Sequence, residues 1–303
     1  MRAFAVIAAA HLLRLGALAF NPATSTPPQV KVRGSIDITE DPRNGDKLPI
    51  PHGEDIIAYD VRYGPNEPTL VYLPAFDSPS GDIKASSLKH ACLRTGRTYA
   101  TADWYGVGKS TGNFRAGTIS RWYEDTIKLL TTVLGDKRKA VLVGGGVGGW
   151  IALLVAKERP DLVAGIVGLA ADPDFTENLL WKYLSEETKE EVNTKGVSLI
   201  TWGGQDYPLT KKFIEDGRNN LVLGGAENEL EITCPVRLVH SLQDKEVPYT
   251  VSIDLARRLE SKDVAVVLEK GSRHHLDGDT SEQLILQAVK HCCDVYNLDK
   301  EEA

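Results

Sequence analysis

The chain has 303 residues, which suits one large α/β domain or two small ones. Hydrophobic residues make up 42% and charged residues 25%, a soluble globular balance, and a net charge of −7 leaves no basic footprint that would favour nucleic acid. Cys92, Cys234, Cys292 and Cys293 form no C-x-x-C pair and show no metal spacing, so they read as reduced or buried thiols, with no metal or other cofactor implied.

The first 20 residues, "MRAFAVIAAAHLLRLGALAF", carry Arg2 and Arg14 and no acid; the first acidic residue is Asp37. This reads as a targeting segment. Its basic, amphipathic, acid-free character suits a mitochondrial presequence. The small-residue "ALA" suits a secretory signal, and "ALAF" before a Ser/Thr/Pro-rich stretch resembles a two-part plastid leader. His11 and Arg14 interrupt the apolar run, and no later segment reaches about 18 uninterrupted apolar residues, so no stable membrane span is expected. Residues 1–29 are therefore set aside as leader and linker, and 30–300 as the folded domain.

From Val30 onward strand and helix patterns alternate. Strands are expected at Val30–Ile38, Ile56–Tyr63, Thr69–Leu73, Thr98–Ala102, Ala140–Val143, Gly165–Leu169, Pro235–Val239 and Val264–Glu269. Helices are expected at Asp82–Leu93, Ile119–Leu134, Gly148–Lys157, Tyr249–Leu259 and Gln283–Tyr296. Short continuous apolar runs such as "AVLV" need cover on both faces, which implies a mostly parallel twisted sheet of about eight strands with right-handed crossovers. The first two runs, joined by a turn-rich piece, suggest an antiparallel edge. Residues 172–232 break the rhythm with charged helical stretches, Ser185 as an N-cap and Gly217 as a helix stop. This insertion reads as a helical lid or a small cap; Trp181, Tyr183, Trp202, Tyr207 and Phe213 would suit an apolar acyl or aryl ligand.

The stretch "AVLVGGGVGGWIALLVA", Ala140 to Ala156, is a strand, a glycine turn and an apolar helix. That is the setting of the nucleophile elbow G-x-S-x-G, with Gly146 at the serine position. Elbow geometry demands small residues at the flanking positions, here Gly144 and Gly148, and a glycine at a positive-φ turn keeps the backbone while removing the reaction. A dinucleotide fingerprint also matches Gly144, Gly146 and Gly149, with Asp172 and Asp174 downstream, but it falls mid-chain rather than in a first βαβ unit.

The other members of a triad are sought in the order nucleophile, acid, base. "CPVRLVHSLQDKEVP" offers Asp244 after a late strand, and "VAVVLEKGSRHHLDG" offers His274 after the last, with His275 as fallback base. Asp244 would orient and charge the imidazole, and His274 would move protons. His240, at a strand end, reads as structural. Oxyanion donors would be the backbone N–H of Val147, after the nucleophile position, and of Phe76 or Ala75 in "VYLPAF". Taken singly, Asp244 also reads as a helix cap and His274 as a solvated loop residue.

"ADWYGVGKSTG", "VGGGVGGW", "KERPDLVAGIVGLA", "CPVRLVHSLQDKEVP" and "KGSRHH" together resemble α/β-hydrolases of the mitochondrial palmitoyl-protein thioesterase (acyl-glucuronide esterase) type, over about Arg43 to Tyr296. The resemblance implies an α/β-hydrolase fold and hydrolysis of small-molecule or protein-linked acyl thioesters or esters. It implies Asp244 and His274 as acid and base and Phe76 as the oxyanion-loop residue, and substrate contacts at Trp150 and Trp181 go with this reading. The family elbow reads G-x-S-x-G-G-W, so Gly146 stands where its serine stands, and Pro74-Ala75-Phe76 departs from its P-G-F. Two functions follow: a hydrolase by descent whose covalent route is closed, or a non-catalytic protein of this fold that binds an acyl ligand or a protein partner.

Overall fold

The computed structural model describes residues 50–302 except 77, 79, 136–137, 203 and 225–229. The expected leader and the strand at Val30–Ile38 lie outside the described residues. In chain order come β1 (Ile50–His52), β2 (Asp55–Ile57), β3 (Tyr59–Arg62), β4 (Asn66–Leu73), α1 (Ile83–Thr95), β5 (Arg97–Ala102) and α2 (Ile119–Leu134). Then follow β6 (Ala140–Gly145), α3 (Val147–Glu158), β7 (Val163–Leu169), α4 (Glu186–Lys195), β8 (Val197–Trp202), β9 (Gln205–Thr210) and α5 (Lys211–Asn219). The chain closes with β10 (Val236–Ser241), α6 (Thr250–Arg258), β11 (Val264–Glu269) and α7 (Asp279–Glu302).

Among the described residues the main sheet has seven strands in the order β11-β10-β7-β6-β4-β5-β3. Its pairings are parallel except at the β3 edge, which runs antiparallel to β5. The run expected as one strand at Ile56–Tyr63 divides: β2 pairs with β1 in a small hairpin, and only β3 joins the sheet. From β4 the chain winds outward through β5, then steps back over β4 to β6 and continues outward through β7, β10 and β11. The direction of winding therefore reverses between β4 and β6. Loops leaving those strands diverge there and open a crevice at the carboxyl ends of the strands.

Burial follows from this order. Every residue of β6 and β7 is buried, as a central parallel strand covered on both faces requires. Helix α3 is buried from Val147 through Ala156, which explains a sequence apolar all round rather than amphipathic. Two apolar clusters form the core, one containing Trp122, Trp150, Phe175 and α3, the other containing Leu70, Tyr72, Val141, Val143 and the inner face of α7. Helix N-termini are capped: Ser185, the expected cap, accepts from Thr188 N, and Asp82 accepts from Ala85 N and Thr118 from Arg121 N.

The insertion between β7 and β10 departs from the helical expectation. It holds a two-stranded antiparallel hairpin, β8–β9, between α4 and α5. Gly217 is no helix stop: α5 runs through it to Asn219, and a Cβ there would overlap the Thr176 side chain, so the glycine answers a close approach instead.

Candidate active site

The turn from β6 into α3 stands on the β6 side of the crevice. Gly146 has φ +49° and ψ −119°, in the half of backbone space that side chains disfavour. Its N–H donates to Leu169 O at 3.0 Å and its carbonyl accepts from Gly149 N at 2.9 Å. On either side a Cβ is excluded: one on Gly144 would overlap the Gly148 backbone, and one on Gly148 would overlap the Leu73 carbonyl. At Gly146 itself there is room. A Cβ built there meets nothing nearer than Ala75 Cβ and Asp172 Oδ2, both at 3.6 Å. The turn thus has the close-packed flanks and open centre of an elbow, without a side chain at its tip.

Asp244 follows β10 and His274 follows β11. The fully buried Asp244 side chain bonds through Oδ2 to His274 Nδ1 at 2.8 Å. Asp244 Oδ1 accepts from Glu246 N and Val247 N, each at 2.9 Å. His240 Nε2 stands 3.2 Å from Asp244 Oδ2 and 3.0 Å from Val247 O, while its Nδ1 meets Ser252 Oγ at 2.8 Å. His240 is therefore a buried brace for the carboxylate, in keeping with its structural reading. Burial alone would raise the Asp244 pKa; hydrogen bonds from His240, His274 and Val247 N outweigh it and hold the carboxyl well below its ordinary range. Burial works against a charged His274, but the Asp244 carboxylate prevails and raises the imidazole pKa. The result is an oriented base whose Nε2 is turned from Asp244 and stands 3.8 Å from Glu246 Oε2.

His274 and Gly146 share the wall of one cavity of about 490 Å³, with Ala75, Phe76, Asp172 and Glu246 around them. That volume lies in the range of small-molecule sites. The hairpin contributes Trp202, Gln205 and Tyr207 to the lining, and the start of α7 contributes Glu282 and Ile285. His275 also lines the cavity, its ring 5.4 Å from that of His274. Phe76 lies in the loop after β4, its ring edge-on to Phe114, Phe175 and Tyr207. Val147 opens α3, where backbone N–H groups have no partner within the helix.

Neither of the two residues expected to contact substrate lines this cavity. Trp150 is wholly buried, donates from Nε1 to Asn220 O at 3.0 Å and packs edge-on against Phe175. Its place on an all-round buried helix turns it into the core. Trp181 sits under the Arg218 guanidinium, 4.8 Å from ring centroid to Cζ, and does not line the cavity. Of the aromatic residues of the insertion, Phe175, Trp202 and Tyr207 reach the cavity, while Tyr183 is exposed.

The sequence and the fold have counterparts among known proteins. A family model described as the alpha/beta hydrolase fold matches residues 68–197. The mitochondrial palmitoyl-protein thioesterase ABHD10 of Bos taurus is 30% identical over 238 residues, covering 75% of this chain and 73% of that protein. The chain belongs to the α/β-hydrolase family. A putative hydrolase from Agrobacterium vitis superposes with a TM-score of 0.75 at 29% identity, covering 81% of this chain and 97% of that one. Mouse alpha/beta hydrolase domain-containing protein 10 superposes with a TM-score of 0.72 at 27% identity, covering 84% and 99%.

Within this α/β-hydrolase, one cavity residue escaped the triad search. Asp172, three residues beyond the end of β7, is 7% exposed and borders the empty tip of the elbow. Burial pushes its carboxyl up to about 8, against the pull of His274; Asp244 and Glu246 add to the rise. Its Oδ1 is buried without a hydrogen-bond partner among the described residues. In the sequence it appears only as the acid downstream of the dinucleotide-type glycines, and no hydrolase motif marks it.

Proposed function

We propose that the cavity takes an acyl ester or thioester and hydrolyses it by attack of water, with His274 as the proton-transfer group and Asp244 as its orienting carboxylate. The observation that carries this reading is the His274 Nδ1 to Asp244 Oδ2 bond of 2.8 Å in the cavity that holds the open tip of the elbow. A serine nucleophile is absent, so no acyl-serine forms at residue 146. Removing such a nucleophile costs on the order of 10⁶ in kcat, and binding with oxyanion stabilisation retains on the order of 10³ over water. The N–H groups of Val147 and Phe76 are the proposed oxyanion donors. The hairpin-bearing insertion acts as a lid, and its Trp202 and Tyr207 support an apolar acyl chain.

Palmitoyl-thioester and para-nitrophenyl octanoate turnover test the reading. His274→Ala and Asp244→Asn should each lower kcat at least about 100-fold, the loss typical of a removed acid–base group. Equal rates for the unaltered protein and His274→Ala would leave the second function, a non-catalytic acyl-binding protein. The curated relatives carry "mitochondrial" in their names, and with the acid-free leader this supports import into mitochondria. Residues 1–29 fused to a fluorescent protein should co-localise with a mitochondrial dye; a plastid or secretory pattern would refute that address. No helix among the described residues is long and apolar enough to cross a membrane.

A further inference from the structure

The open tip of the elbow and the unpartnered carboxyl beside it are two halves of one observation. A buried carboxyl with an unpaired oxygen is costly and calls for a partner that comes and goes. A Cβ on Gly146 would lie 3.6 Å from Asp172 Oδ2 and 3.8 Å from Oδ1. An oxygen one bond beyond that Cβ, where a serine hydroxyl would project, falls within hydrogen-bond reach of the carboxyl yet cannot coincide with it. Asp172 is therefore placed to hold an oxygen at that point, not to be the attacking atom itself. Its position is fixed from behind: Asp172 N donates to Gly146 O at 3.4 Å, tying the end of β7 to the elbow.

We propose that Asp172 replaces the missing serine by holding and deprotonating the attacking water at the tip of the elbow, so that hydrolysis proceeds in one addition–elimination without an acyl-enzyme. The inference rests on the proposed acyl ester and thioester hydrolysis and assigns it a further catalytic residue. The water oxygen bonds to the acyl carbon while its proton passes to the Asp172 carboxylate, and the carbonyl electron pair moves onto oxygen. Collapse of that oxyanion breaks the bond to the leaving sulfur or oxygen, which takes a proton from the His274 imidazolium. The products are the carboxylic acid and the thiol or alcohol, and transfer of the proton from Asp172 to His274 restores the site. Asp244 and Asp172 thus flank the histidine with opposite properties: one is held ionised to orient it, the other is poised to gain and lose a proton.

The test uses the full chain with para-nitrophenyl octanoate and compares the unaltered protein, Asp172→Asn, His274→Ala and Gly146→Ser/Asp172→Asn. Asp172→Asn should lower kcat at least about 100-fold. The pH profile of the unaltered protein should carry an inflection near 8 from Asp172, in the field of His274, Asp244 and Glu246, beside a second limb from His274, which must hold its proton; the variant should lack the inflection near 8. Labelling of Gly146→Ser/Asp172→Asn by a fluorophosphonate would show that the amide leaves the pocket folded. A single turnover in heavy-oxygen water should put the label in the released acid and none on the peptide holding residue 172. Label on that peptide would mean that Asp172 attacks directly, and would overturn the water-holding role. Turnover by Asp172→Asn within about twofold of the unaltered protein, with His274→Ala inactive, would overturn the assignment of Asp172 alone. Equal rates for the unaltered protein and His274→Ala would overturn the hydrolase reading, and the role of Asp172 with it.

Discussion

Between the ordinary carboxylate range and a pH of about 8, folded Asp172 keeps a proton that the unfolded chain gives up. Below that window both states hold the proton, and above it neither does. Because the folded state binds more protons inside the window, the contribution of this group to stability falls as pH rises and levels off above about 8. One pKa unit corresponds to about 1.4 kcal/mol, so a rise from the ordinary carboxylate range to about 8 amounts to about 6 kcal/mol. Asp172→Asn removes the ionisation and keeps the shape. Its melting temperature should therefore gain on that of the unaltered protein between about pH 5 and about pH 8. Asp172 is itself one of the charges that raise His274, so the difference between the two melting curves reports residue 172 together with its coupling to the imidazole. A difference independent of pH would mean that Asp172 is ionised in the folded state throughout.

At the scale of the element, the strand–turn–helix from β6 to α3 separates what the backbone demands from what the chemistry demands. Gly144 and Gly148 are demanded by packing, because a Cβ on either would strike backbone of the same turn or of β4. Gly146 is not, since its Cβ position is open, although φ +49° imposes a strain of about 1–3 kcal/mol on any other residue. Gly148→Ala should lose folded yield and melt far below the unaltered protein. Gly146→Ser should remain folded and become labelled by a fluorophosphonate, checked by thermal melting and gel fluorescence; failure to label would refute the placement of the elbow. This contrast also explains what the sequence could disclose. β6, α3, the positions of Asp244 and His274, and α2 to the residue were legible because periodicity and order after strands determine them. The β8–β9 hairpin was masked by the charged stretches around it, although "VSLITW" and "QDYPLT" flank a Gly203-Gly204 pair that signals a two-residue turn. Asp172 was not legible as a site residue, because its meaning depends on the glycine it faces across two strands, a relation with no spacing in the sequence.

For the molecule as a whole, the reversal of winding between β4 and β6 places the elbow, and the insertion after β7 decides what lies over it. The hairpin brings Trp202, Gln205 and Tyr207 into the lining of the cavity that holds His274, and Trp202 packs edge-on against Phe175 with ring centroids 5.1 Å apart. An aromatic wall several bonds from the reacting carbonyl binds substrate and transition state alike, so its removal should change KM and leave kcat nearly unaltered. It should also act only on chains long enough to reach it. Trp202→Ala is therefore expected to raise KM for para-nitrophenyl octanoate on the order of tenfold, equivalent to about 1.4 kcal/mol of lost binding, while leaving the acetate ester unchanged. Steady-state kinetics on the two esters decide the point. An equal rise for both would place Trp202 at the reacting centre, and no rise for either would mean that the acyl chain leaves the elbow by the other wall, along α1 and the start of α7, where Leu88 and Ile285 line the cavity.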